Sequence, residues 1–300
     1  MIFNKKNIVF GCWPISGDYG IKQNKKSIIL IKKAIDWGIC EFDTAPNYGG
    51  GNSEKLLANL NKKYNDKILV NTKIGNSPTG NKSFDIKFLK KSFEDSLSRL
   101  KMKKINILFL HNPRNLKNTK EILSYLKKLK KKKLIKKFGL SLANDYKYSE
   151  KFLNKFEVLQ YDYNIMCQKK YLQEFKHKKL IHKRSIFGSG TITEKFLKKK
   201  IFNFKINDQR SRWLDNRKTE IIKKHLRKIK KITNTDLDIL AYTFVKRNLG
   251  KNKIIIGFKT CDNLKRFKNI YNSKITKENY TKIKKYYFSQ LKKYDERPLV

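Results

Sequence analysis

CEFDTAPNYGGGNSE (residues 40–54), ILVNTKIG (68–75) and INILFLHNP (105–113) are the stretches on which the fold reading turns. Each begins as a short, β-branched run of strand length. Asp43, Lys73 and His111 stand at or near the ends of these runs, with Tyr48 just beyond the first. Outward from them lie further strand-like runs: IVFGCW (8–13), KKFGLSL (136–142), EVLQYDYN (157–164), LIHKRSIF (180–187) and KIIIGFK (253–259). The three central runs themselves read as strands over 40–44, 67–74 and 105–112. Amphipathic stretches with apolar residues at helical spacing alternate with them, among them 27–38, 84–101, 119–132 and 235–248. Strand–helix units repeated eight times predict a closed (β/α)8 TIM barrel. No GxGxxG turn follows the first strand, which counts against a doubly wound dinucleotide-binding sheet. No Pro/Ser/Gly-rich linker interrupts the chain, so residues 1–300 read as one domain, with residues 271–297 as outer helices.

Composition narrows the class. Hydrophobic residues at 39% and aromatics at 12% suffice for a sizeable core and argue against disorder. No apolar run reaches the ~18 residues of a membrane span, and the N-terminus lacks the pattern of a signal peptide. Cys12, Cys40, Cys167 and Cys261 are scattered, with no CxxC pair and no metal-ligand spacing, which predicts a reduced, cytoplasmic protein without a metal. The net charge of +47 would suit a polyanion partner. However, the basic residues are spread over nearly every predicted helix, and no nucleic-acid-binding motif is present. Joint inflation of Lys, Asn and Ile by an AT-rich genome accounts for the charge without a specific nucleic-acid partner. The densest run, LKKLKKKKLIKK (126–137), ends a helix and enters the next strand, at the face of the barrel opposite the strand C-termini.

In a parallel barrel the strand C-termini converge on one face. There, Asp43, Tyr48, Lys73 and His111 would bring together a carboxylate, a phenol, an ammonium and an imidazole, in outline a carbonyl-reduction site. Singly, each has an ordinary account: a turn cap, a loop aromatic, a surface lysine, a capped core histidine. Jointly they would need four coincidences at strand ends.

The motifs that carry these residues resemble the aldo-keto reductase family: DTAxxYGxxxSE (43–54), the lysine of VNTKIG, LHNP (110–113), the Gly139-x-Ser141 pattern, and Gln160 ahead of Tyr163 and Asn164. They occur in the family's order, and the resemblance runs from about residue 11 to 267. It implies that Tyr48 is the proton donor and that the Lys73 ammonium lowers the phenol's pKa from its ordinary value near 10. Asp43 would pair with Lys73, and His111 would polarise the carbonyl oxygen. The hydride would come from NADP(H) or NAD(H), since no side chain can supply it.

By the same resemblance, Ser141 and Gln160 would hold the nicotinamide carboxamide. Residues Ser185, Ile186, Phe187, Gly188 and Gly190 would wrap the pyrophosphate, within a longer loop (188–217) that reads as a lid or cofactor clamp. Gly257, Lys259, Thr260 and Asn263 form a turn before a helix whose N-terminus offers N–H groups to an anion. Lys259 and Arg266 are candidates for a ribose 2′-phosphate, although an ordinary turn in a lysine-rich chain accounts for them equally well. Trp13, Tyr48, His111, Asn112 and Trp213 would border the pocket of a small carbonyl or sugar-like substrate. The regulatory, nucleotide-binding branch of the same barrel is the other reading that the resemblance allows.

Three departures from the family pattern stand out. Leu142 follows Ser141 where many relatives have an asparagine on the carboxamide. Gly257 and Asn263 stand roughly where relatives carry basic phosphate contacts, which leaves the choice between NADPH and NADH open. Arg184, in HKRSIFGSG (182–190), stands where many relatives have a tyrosine stacked on the nicotinamide. A guanidinium stacked there would favour the neutral, reduced cofactor over the cationic, oxidised one. The RSxF pattern (184–187) also resembles a bacterial sub-branch linked to surface-sugar metabolism.

Overall fold

A computed structural model describes residues 5–60, 62–168, 179–199, 207–247 and 249–295, together with residues 172, 204 and 299. Eight strands close into one parallel barrel in chain order: β1 (Ile8–Gly11), β2 (Glu41–Asp43), β3 (Leu69–Ile74), β4 (Ile105–His111), β5 (Ile135–Ser141), β6 (Val158–Asp162), β7 (Leu180–Arg184) and β8 (Lys253–Gly257). β1 pairs with β8 through Ile8↔Ile254 to Gly11↔Gly257, which completes the ring. The doubly wound alternative is thereby excluded.

All eight expected strands are present, and several end earlier than the apolar pattern suggested. β1 stops at Gly11 because Pro14, without an N–H, enters a 3-10 turn over Trp13–Ile15. Tyr163, Asn164 and residues 185–187 likewise leave the sheet for loops.

The barrel has two apolar zones. One lies between the strands and the outer helices and takes in Phe10, Phe42, Leu108, Leu140 and Ile256. The smaller one fills the barrel itself with Ile107, Phe109 and Val158. Phe109 fits because its neighbour across the β4–β5 register is Gly139; a Cβ there would come within 2.6 Å of the Phe109 ring. Below this plug, buried Glu41 accepts from Asn71 at 2.7 Å and from Lys253.

The helices form for local reasons that agree with the fold. In Ile86–Leu100, the Asp85 carboxylate caps the N-terminus by accepting from Lys87 N (2.8 Å) and Phe88 N (3.3 Å), a contribution of about 1 kcal/mol. Lys101, in the left-handed conformation, ends it. Leu89, Phe93 and Leu100 face the barrel, and burying each is worth ~1.5–3 kcal/mol. The last expected helices lie at Lys277–Tyr286 and continue as a wider π-turn over Tyr287–Leu291. Of the loop after β7, residues 200–203 and 205–206 lie outside the described part. Its remainder holds short helical turns at Gly188–Gly190, Glu194–Lys198 and Gln209–Arg212. No helix among the described residues is long and apolar enough to cross a membrane, and none of their His, Cys, Asp or Glu side chains gather into a metal-binding set. Cys12, Cys40, Cys167 and Cys261 form no disulfide.

Candidate active site

Asp43 is the last residue of β2, and Lys73 lies one residue before the end of β3. Both side chains point into the mouth of the barrel. The Lys73 ammonium, fully buried, donates to Asp43 Oδ1 (2.6 Å), Thr44 O (2.8 Å) and the Tyr48 hydroxyl (3.2 Å). All three of its protons are thus directed, and one of them faces the phenol.

Tyr48 reaches this point from the loop after β2, sandwiched between aromatic neighbours. The Trp13 ring stacks on it at 5.9 Å, and the His111 ring meets it edge-on at 6.1 Å. Asn76 Nδ2 donates to His111 Nδ1 at 2.9 Å, so the imidazole carries its proton on Nε2.

The electrostatics follow from burial and from these pairs. Burial pushes the Tyr48 phenol above its ordinary value, and Lys73 pulls it back only in part. The net acidification expected from Lys73 alone is therefore corrected: loss of solvent outweighs the ammonium. Burial also works against the Lys73 ammonium, but Asp43 and Tyr48 outweigh it and hold the group charged above its usual range. His111 is held well below its usual range by burial, reinforced by Lys73, Arg184 and Lys82, so its imidazole is neutral.

The pocket floor is built from adjacent strands. Ser141 Oγ donates to Gln160 Oε1 (3.0 Å), and Gln160 Nε2 donates to Asp43 Oδ2 (2.7 Å). Arg184 does not stand as an isolated cation. Its Nε pairs with Asp162 (2.6 Å), Nη1 donates to Ser141 Oγ (2.6 Å), and Nη2 donates to the Leu142 carbonyl (2.8 Å). The repulsion of an oxidised nicotinamide expected from Arg184 is weakened accordingly, because a carboxylate compensates its charge. Leu142 turns its side chain into the core, leaving only its carbonyl on this face.

Other expected contacts have protein neighbours of their own. Asn112 takes a left-handed conformation (φ 54°), and its amide donates to Leu142 O (3.0 Å) and Ser141 O (3.2 Å), which ties it to the end of β5 beside the pocket floor. Trp213 is half-buried with the Lys218 ammonium 5.1 Å over its ring, and none of its ring contacts among the described residues is with Tyr48 or His111. Lys259 donates to the Tyr19 carbonyl, and Arg266 contacts Asp238 at 3.4 Å, so both candidate phosphate cations are already engaged. Thr260 and Asn263 form a reciprocal cap on the helix Cys261–Ile270. That cap consumes the N–H groups of Lys259, Thr260 and Asn263 and leaves those of Cys261 and Asp262 as its first-turn donors. In the loop after β7, Ser185, Gly188, Ser189 and Gly190 all have positive φ, which turns the chain sharply beside the pocket. Gly257 is required for packing, since a Cβ there would come within 2.6 Å of Pro14.

Four contributors escaped the sequence reading. Asp18 is buried and accepts from Trp13 Nε1 (2.7 Å), Gly49 N (2.9 Å) and Gln209 Nε2 (3.1 Å), which ties the loops after β1, β2 and β7 together. Arg210 pairs with Asp208 through two hydrogen bonds (2.6 and 2.9 Å) and covers the Tyr19 ring. Asn76 sets the His111 tautomer, and Asp162 anchors Arg184. Only Asp162 carried a signal: it lies two residues after Gln160 on β6, hence on the same face.

The comparisons with known proteins agree with this geometry. The model of the aldo/keto reductase family matches residues 7–287. The chain is 32% identical over 140 residues to the aldo-keto reductase YhdN of Bacillus subtilis, covering 45% of this chain and 42% of that protein. It is likewise 32% identical over 106 residues to the L-galactose dehydrogenase of Arabidopsis thaliana, covering 34% and 33%. These alignments span less than half the length of either relative. Among solved structures, aldo-keto reductase AKR11C1 from Bacillus halodurans superposes with a TM-score of 0.75 at 19% identity, covering 93% of this chain and 91% of that one. The glycerol dehydrogenase AKR11B4 from Gluconobacter oxydans gives 0.74 at 19%, covering 95% and 92%. With the family's motifs in order on a closed barrel and its model matched over nearly the whole length, the chain belongs to the aldo/keto reductase family.

Proposed function

We propose that this chain, acting as a single domain, is an NAD(P)H-dependent oxidoreductase that interconverts a carbonyl and an alcohol. The observation that carries the reading is the Lys73 ammonium held between Asp43 (2.6 Å) and the Tyr48 hydroxyl (3.2 Å), with the His111 ring edge-on to that phenol. Tyr48 supplies the proton to the carbonyl oxygen. Lys73 steadies the phenolate left behind, and Asp43 keeps Lys73 charged and in place. Neutral His111, protonated on Nε2, donates a hydrogen bond to the same oxygen as charge develops on it. Trp13 and Tyr48 close one wall against water.

A bound nicotinamide supplies the hydride. The residues that would hold such a group are Arg184, partly exposed at the pocket floor with donors to spare, and Ser141 and Gln160 buried behind it with one oxygen lone pair each unspent. The glycines at 188 and 190 let backbone approach a pyrophosphate, and the first-turn N–H groups of Cys261 and Asp262, after β8, would be its further donors. The Tyr19 carbonyl takes one of the three protons of the Lys259 ammonium, and Arg266 is half exposed in its pair with Asp238, so this turn does not choose between NADPH and NADH. The RSxF run and the similarity to a plant L-galactose dehydrogenase favour a sugar-like or small polyol substrate. The intact quartet weighs against a catalytically silent, regulatory barrel. The chain is read as a cytoplasmic small-molecule enzyme without a specific nucleic-acid partner.

Titration with NADPH and then NADH, followed by tryptophan fluorescence, tests the reading. Trp13 lies at the pocket and should report. Saturable quenching that is lost in Trp13→Phe supports the proposal, and no saturable change with either nucleotide contradicts it.

A further inference from the structure

A continuous hydrogen-bond chain runs from Arg184 on β7 to Tyr48: Arg184, Ser141, Gln160, Asp43, Lys73, Tyr48. Its direction follows from donor chemistry. A guanidinium has only donors. Its Nε is held by Asp162, which also accepts from Asn144 and Ser185 (3.0 Å), and its Nη2 is held by the Leu142 carbonyl, so Nη1 is aimed at Ser141 Oγ. That oxygen must accept from Arg184 and therefore turns its own proton onto Gln160 Oε1. Gln160 is then left with its NH2 toward Asp43 Oδ2. Ser141 and Gln160 are fully buried, so no solvent is at hand to correct a reversed link. Were Gln160 turned round, its carbonyl oxygen would face a carboxylate.

We propose that Arg184 is a positioning residue that sets the donor–acceptor direction of this chain, so that Asp43 meets only donors and holds Lys73 charged beneath Tyr48. The inference deepens the oxidoreductase reading and rests on it for its consequence in turnover. The register supports it, because Ser141↔Gln160 and Asp162↔Arg184 are strand neighbours, so the chain is a property of the barrel wall and not of a loop. The charged or titratable groups around the Tyr48 phenol are Lys73 and Asp43, His111 on β4, Arg184 on β7 and Tyr19 from the loop after β1. Arg184 lies close enough to draw the phenol's pKa down.

Arg184 and Asp43 do not touch, so a double-mutant cycle in the cofactor-free protein isolates the effect. Arg184→Met, Asp43→Asn and the double variant are compared by denaturant unfolding. An asparagine at 43 that gives its oxygen to Lys73 turns its NH2 to Gln160, so it accepts the reversed amide that Asp43 rejects. Loss of the Asp162 partner is common to both backgrounds and cancels. The expected result is non-additivity of about tenfold in the unfolding constant, with Arg184→Met less damaging when Asn stands at 43. Should Arg184→Met not fold, Ser141→Ala cuts the same chain and enters the same cycle. Coupling below about threefold overturns the proposal. In turnover, Arg184→Met should lower kcat about tenfold with the carbonyl KM held within about threefold, and should move the alkaline limb to higher pH. Equal losses in kcat and KM would mark Arg184 as structural only. Absence of turnover in the unaltered protein would count against the oxidoreductase reading and leave the cycle intact.

Discussion

Replacing Asp43 with Asn removes one charge from a buried pair and keeps its shape. The side-chain oxygen still accepts from Lys73, where the pair now stands 2.6 Å apart with Lys73 fully buried. At an effective dielectric of 20 the attraction lost is about 6 kcal/mol. The protein has a cheaper course, which is to fold with Lys73 neutral. At pH 7 that costs about 5 kcal/mol against an unfolded lysine pKa of 10.4, and at pH 9 only about 2 kcal/mol. In the unaltered chain Asp43, outweighing burial, holds the Lys73 pKa above its unfolded value. That contribution is fully present below the unfolded pKa and is lost only as pH rises through the folded one, so it is flat between pH 7 and 9. In Asp43→Asn, burial acts without its counterweight and the Lys73 pKa falls below the unfolded value. The unfolded chain then binds more protons than the folded one, and stability rises with pH. Thermal unfolding at pH 7 and pH 9 should therefore show the gap between the two proteins narrowing by about 3 kcal/mol, or roughly 5 °C for a chain of 300 residues. A gap of equal size at both pH values would refute the reasoning.

Three further outcomes follow from the geometry. Because burial, with Lys73 and Arg184, holds His111 far below 6.5, it stays neutral through the ordinary range, and kcat/KM for carbonyl reduction should show no histidine limb between pH 6 and 8; a limb near 6.5 that vanishes in His111→Gln would contradict this. Asp18→Ala leaves the donors of Trp13, Gly49 and Gln209 unpaired and should cost about 2–3 kcal/mol. It should also speed tryptic cleavage at Arg210 and Arg212, and unchanged cleavage would show that the loop after β7 is held by other contacts. Gly139→Ala drives a methyl to 2.6 Å from both the Phe109 ring and the Val158 carbonyl, for a loss of ~1–3 kcal/mol in denaturant unfolding, and Phe109→Leu on that background should restore part of it.

The barrel was legible because its strands are short β-branched runs and its helices carry an apolar stripe, so that local pattern and global fold agree. The quartet was legible for a related reason: Asp43, Lys73 and His111 sit on strands, and the C-terminal strand ends of a parallel barrel have one destination. The rest depended on contacts between distant residues. Arg184 could be read as a cation but not as the partner of Asp162, since that pairing depends on the β6–β7 register. Asn112 sat in the right motif, but its bonds to the Ser141 and Leu142 carbonyls follow from the β4–β5 register. The hub at Asp18 joins three loops and left no periodic trace. Lys259 and Arg266 had the right charge for a phosphate, and only the folded chain shows that Tyr19 and Asp238 are also their neighbours.

The most direct test of the central claim is steady-state reduction of a panel of small aldehydes and sugars, with NADPH and NADH, by the unaltered protein and by Tyr48→Phe side by side. The account predicts turnover with at least one carbonyl, reduced ~10²–10⁴-fold in Tyr48→Phe while nucleotide-induced quenching persists. Turnover that is unchanged in Tyr48→Phe would contradict it, because the proton would then come from a group other than the phenol held by Lys73.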